Sequence, residues 1–69
     1  MNNKKQYVVW GVTAGGFWNK IATVSSKTYA LEIGAIESPK WPRLEVVQQA
    51  KYKGVFEPEK AIFTKEEGV

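Results

Sequence analysis

The carboxylates that could do acid–base chemistry are Glu57 and Glu59, which flank Pro58. Such a pair works as acid and base only in a cleft that raises the pKa of one member, and a proline-containing surface segment predicts solvated carboxylates instead. Ser25 and Ser26 would need a base to become nucleophiles, and a helix-capping role explains them more simply. We therefore assign no catalytic residue.

The chain contains no His, no Cys and no Asp, so every acidic side chain is a Glu. The usual proton shuttle, the thiolate nucleophile and the soft metal ligands are all missing. The Gly15–Gly16 pair has neither the Walker spacing nor the dinucleotide-binding fingerprint, and is typical of a hairpin turn. We expect a non-enzymatic protein with no metal and no cofactor.

The remaining candidates for functional residues are the aromatic and basic side chains. The chain has three Trp, three Tyr, three Phe and ten basic residues, and Trp is enriched among the residues that anchor protein interfaces. The candidate partner-binding residues are Trp10, Trp18, Lys20, Trp41, Lys51 and Lys53. An alternative interpretation stays open, in which all three Trp complete a core that is otherwise too small.

The positive charge is concentrated near the amino-terminal end. Residues 1–24 carry Lys4, Lys5 and Lys20 and no acid, whereas the acidic and basic residues of the remaining chain balance. A net charge of +3 can steer an acidic partner but is too small to demand nucleic acid. Arg43 is the only arginine, a bias typical of AT-rich genomes, including those of phages and mobile elements.

Two regions of the sequence have the composition of strands. Residues 6–12 and 17–24 are rich in β-branched and aromatic side chains and are joined by a short glycine-containing segment. This pattern predicts an antiparallel hairpin over residues 6–24. Residues 43–53 alternate between apolar and polar side chains, which predicts a half-buried third strand.

Residues 27–37 have the apolar spacing of a helix. Ser26 is a natural N-cap, and Pro39 is a natural stop. The same residues also alternate with a period of two, so a strand is the alternative.

These elements predict a small α+β domain in the order β-β-α-β. It would have a three-stranded antiparallel sheet, one helix on one face, and a short C-terminal appendage over residues 59–63. That appendage is predicted as either a helical turn or a short edge strand. If residues 27–37 form a strand instead, the alternative is an all-β, SH3-like small barrel. We expect a single domain over residues 1–69, with residues 1–5 and 65–69 frayed.

The segment Lys51–Phe56 interleaves basic and aromatic residues. Over about six residues it resembles the Tyr-Lys-Gly-Phe segment of the amino-terminal, viroplasmin-like module of eukaryotic-type ribonuclease H, which binds RNA–DNA hybrids. The rest of the chain departs from that pattern in helix spacing and loop content, so we transfer no function. Sheet aromatics can stack bases while lysines contact phosphates, so single-stranded nucleic-acid binding is the alternative function.

One helix can cover only one face of a sheet, so we expect the opposite face, with the Trp41 loop, to carry binding. The favoured function is a non-enzymatic binding protein with a protein partner, such as an accessory or inhibitory protein of a phage or mobile element. A homodimer is a further option. We expect no signal peptide, no membrane-spanning segment and no membrane partner, and therefore a cytoplasmic location, in the host cell if the protein is phage-encoded.

Overall fold

A computed structural model describes residues 4–66 of the chain. Its elements, in chain order, are β1 (Lys5–Val12), β2 (Trp18–Val24), α1 (Lys27–Glu37), a 3₁₀ turn (Ser38–Lys40), β3 (Arg43–Tyr52) and β4 (Val55–Glu66). The strands form one antiparallel sheet in the order β2-β1-β3-β4. Among the described residues, no helix has the length and apolar character needed to cross a membrane.

The predicted three-stranded sheet is wrong, because the sheet has four strands; the small α+β class is confirmed. The expected C-terminal appendage is the strand β4, which pairs with β3 along its length. Lys53 and Gly54 both have positive φ, at 52° and 82°, as in the two-residue turns that join hairpin strands. Pro58 has no backbone N–H to donate, but it lies in an edge strand, so no hydrogen bond between the central strands is lost.

Helix α1 lies across one face of the sheet. The hydroxyl oxygen of Ser26 accepts a hydrogen bond from the backbone N–H of Tyr29 at 3.1 Å, which is the expected N-cap. The buried residues of the helix are Ala30 and Gly34. These two small residues lie on the helix face that packs against the sheet. The presence of α1 rules out the SH3-like barrel as the architecture of the described chain.

The core lies between α1 and the sheet. Its buried members come from β1, α1 and β3, and they are Tyr7, Val9, Ala30, Leu44 and Val46. Shifts in register enlarge it, because Ile21 in β2 and Ile62 in β4 are extra residues without a partner in the neighbouring strand. A second shift in β4 leaves Glu59 as another extra residue. Both of these isoleucines pack against the core. A regular strand would not turn two adjacent residues, such as Ile21 and Ala22, toward the same face, but an extra residue allows it.

The prediction that the chain ends fray falls partly on residues outside the described range. Inside that range, Lys5 pairs with Ala50 and Lys65 pairs with Leu44. The Lys65 ammonium also donates to the carbonyl oxygen of Trp41 at 2.7 Å. The end of β4 is thereby joined to the segment that follows α1.

The packing of Trp41 on Gly11 generates a stability prediction. A Cβ atom added at Gly11 would lie far inside contact distance of the Trp41 ring, which is itself packed against the core. We expect Gly11→Ala to lower the free energy of unfolding by about 1–3 kcal/mol, because the ring must be displaced. Urea unfolding measures the change.

Gly15→Ala is the matched control, because its added Cβ would meet the Phe17 ring at 3.4 Å, an ordinary contact. Equal unfolding free energies for the two variants would contradict the close packing of Trp41 on the sheet.

Candidate functional site

The sheet face opposite α1, called the open face below, carries the candidate site. Side chains alternate along a strand, and Val9 packs toward α1, so Trp10 and Val12 project onto the open face. In register, Trp10 lies between Lys20 of β2 and Glu45 of β3. Residues 4–66 contain one helix and a single sheet, so no second layer of the described chain covers this face.

Two tryptophans and two cations pack together at one end of the open face. The rings of Trp10 and Trp18 meet edge to face, with centroids 6.0 Å apart and planes at 76°. The Nζ atom of Lys20 lies 5.6 Å from the Trp10 centroid, and the Cζ atom of Arg43 lies 5.4 Å from the Trp18 centroid. These four residues are called the Trp cluster.

Neighbouring carboxylates hold Arg43 in place. Its Nη2 group donates to Glu45 at 2.8 Å, and its Nε atom lies 3.4 Å from a carboxylate oxygen of Glu66. Trp18 and Arg43 pair with Val12 from opposite sides, so their side chains meet above it. Only 3% of Val12 is exposed as a result. Packing and ion pairing therefore both favour the position of Arg43 beside Trp18.

Trp18 is the accessible member of the Trp cluster. It is 47% exposed, whereas Trp10 is only partly exposed. A cation–π contact at an exposed site contributes about 0.5–1 kcal/mol. A partner can therefore replace the contact of Arg43 with the ring at small cost, and the indole then offers a large apolar area for burial.

Trp41 lies on the other side of the sheet. It packs against the core beneath α1, and its Nε1–H donates to the Glu37 carboxylate at 3.1 Å. The structure therefore does not bring Trp41 together with Trp10 and Trp18. A role for Trp41 in partner binding stays a prediction.

Lys51 and Lys53 lie at the opposite end of the sheet from the Trp cluster. The Lys51 ammonium is 5.8 Å from the Phe56 centroid, and the Lys53 ammonium is 5.5 Å from the Tyr52 centroid. Lys51 is on the open face, since it follows the same alternation as Arg43 and Glu45. Lys53 is in the turn.

Sequence reasoning missed the contribution of Arg43, Glu45 and Glu66 to the site. The spacing of Arg43 and Glu45 along one strand face was an available signal, because residues two apart in a strand share a face. Glu66 gave no such signal, since its position depends on the pairing of β4 with β3.

No protein-family model, no curated protein and no solved structure matches this chain. In the described part of the chain, residues 4–66, no group of three or more acidic, His or Cys side chains is placed to hold a metal ion. The functional assignment therefore depends on the geometry of the open face.

A separate polar contact ties the start of β1 to β4. The Lys5 ammonium and the side-chain amide of Gln48 both donate to one carboxylate oxygen of Glu59, at 2.9 Å and 2.7 Å. The hydrogen bond from Lys5, followed by the one from Gln48, lowers the pKa of Glu59 below its ordinary value. The carboxylate form is thus favoured by folding.

We expect Lys5→Met to raise the pKa of Glu59 toward its ordinary value, because the larger of the two stabilising hydrogen bonds is removed. In the wild type, this contact stabilises the fold above the ordinary pKa of Glu and is lost as the pH falls through the lowered pKa. Carboxyl-carbon NMR titration measures both values. Lys27→Met on α1 is the control, and an unchanged Glu59 pKa in Lys5→Met would contradict the contact.

Proposed function

We propose that this protein is a non-enzymatic binding module that contacts another protein through the open face, with Trp18 as the anchor. The observation that carries the proposal is the Trp cluster, a packed group of two Trp, one Lys and one Arg on a face that the helix does not cover. Trp and Arg are the residue types most enriched among those that dominate binding energy at protein interfaces.

Contacts between the side chains of the Trp cluster support a binding role. The edge-to-face contact orders the two rings, and the ion pairs of Arg43 favour its position beside Trp18 before any partner arrives. Ordering a free side chain at an interface costs roughly 0.5–1.5 kcal/mol, and side chains that are already ordered avoid most of this cost.

The same geometry favours a protein over single-stranded nucleic acid. Glu45 and Glu66, which bind Arg43, would repel phosphates at this end of the face. The lysine-rich, arginine-poor composition extends the proposal to an accessory or inhibitory protein of a phage or mobile element.

The test compares two exposed aromatic residues on different faces. Trp18 on the open face and Tyr29 on α1 are 47% and 54% exposed. We expect Trp18→Leu to reduce capture of a protein partner from the native lysate by at least about tenfold, because an interface anchor is lost. The leucine keeps an apolar cover over Val12, so circular dichroism should show an intact fold.

Tyr29→Leu is the matched control and should leave capture unchanged. Loss of capture in Tyr29→Leu but not in Trp18→Leu would contradict the proposal. Loss of wild-type capture after nuclease treatment would instead favour the nucleic-acid alternative.

A further inference from the structure

A groove lies at the opposite end of the open face from the Trp cluster. Its volume is about 520 Å³. The lining residues are Lys4, Lys5, Gln6, Thr23, Val24, Ser25, Lys51 and Phe56. The groove, called the lysine groove below, brings three lysines together with hydroxyl-bearing residues and an aromatic residue, and within residues 4–66 no acidic residue lines it.

Two of the three lysines are free to bind an anion. Lys5 is already paired with Glu59, whereas Lys4 and Lys51 form no ion pair with any residue in the described part of the chain. The backbone N–H of Lys51 donates to the carbonyl of Lys4, so the two residues are cross-strand neighbours. Like charges placed opposite each other are destabilising, and a bound anion would remove this repulsion.

The lysine groove and the Trp cluster belong to one continuous surface. At about 3.4 Å per residue along β1, the position of Lys4 is roughly 20 Å from that of Trp10. The residues between them on the open face are uncharged, with Gln6 hydrogen-bonded to Gln49 at 2.7 Å across the strands. A single extended ligand can therefore contact both ends.

The charge distribution along this surface selects the class of ligand. A single-stranded nucleic acid carries a phosphate at every nucleotide, so it would place negative charge beside Glu45 and Glu66 as well as in the lysine groove. A peptide segment can carry carboxylates at one end and apolar side chains at the other. Within the described residues, carboxylates accompany the cations at the Trp cluster, whereas none lines the lysine groove, which matches the second case.

We propose that the lysine groove binds the carboxylates of an extended acidic segment of the partner protein that the Trp cluster contacts. This inference rests on the proposed function, because it assigns the chemistry of the same partner. Lys4 and Lys51 supply the charge, and Phe56 provides apolar contact beside them.

An oligoglutamate peptide tests the lysine groove without the natural partner. We expect its addition to shift the backbone amide NMR signals of Lys4, Gln6, Thr23, Ser25, Lys51 and Phe56 in the wild-type protein. Lys4→Glu and Lys51→Glu should each weaken binding by roughly tenfold or more, because each places a like charge in the groove. Lys60→Glu is the matched control and should bind like the wild type, because Lys60 pairs with Gln48 on the α1 side of the sheet and is outside the groove lining.

An oligothymidylate of matched charge is the comparison ligand. Equal or larger shifts of the same signals with oligothymidylate would overturn the assignment to an acidic protein segment in favour of nucleic acid. No shifts with oligoglutamate would overturn the anion site itself.

Trp18→Leu separates this inference from the proposed function, since it should leave oligoglutamate binding unchanged. If oligoglutamate fails to bind while Trp18-dependent capture persists, only the lysine groove assignment is wrong. If oligoglutamate binds while capture does not depend on Trp18, the proposed function is wrong and the groove stands only as an anion site, without the partner proposed for it.

Discussion

The central position of β1 is the constraint on which the rest of the structure depends. β1 pairs with β2 on one side and with β3 on the other, so both of its faces must be shielded from water. Helix α1 shields the face that carries Val9. No second helix of the described chain shields the face that carries Val8 and Val12, yet these residues are only 1% and 3% exposed. Side chains of the neighbouring strands must therefore form the second cover.

Trp18 and Arg43 are part of that cover, which gives the Trp cluster two roles. Burial of a valine side chain contributes roughly 1.5–3 kcal/mol, whereas the exposed cation–π contact contributes about 0.5–1 kcal/mol. The stabilising role of Trp18 and Arg43 is therefore mainly the shielding of Val12. A partner protein that binds here would take over this shielding, so the residues proposed to bind the partner are also residues that keep Val12 away from water.

The parts of the fold that depend on local sequence were predictable. The first hairpin follows from two β-type runs around a glycine pair, and α1 follows from the Ser26 cap and its apolar spacing. The start and the length of β4 were missed, since only a helical turn or a short edge strand was predicted over residues 59–63. Gly54 and Pro58 look like interruptions, although a positive-φ turn uses the first and an edge strand tolerates the second. The meeting of Trp18 with Arg43 depends on pairing between residues distant in sequence, which local patterns do not encode.

The proposed binding role requires that the open face present Trp18 to solvent in the free protein. Attenuation of the indole ring proton signals by a soluble paramagnetic agent, measured by NMR on the wild-type protein, reports this exposure. We expect stronger attenuation for Trp18 than for Trp10 and Trp41, because Trp18 is the most exposed of the three. Protection of Trp18 equal to that of Trp41 would show that this chain or a second copy covers the open face, and Trp18 could then not serve as a free anchor.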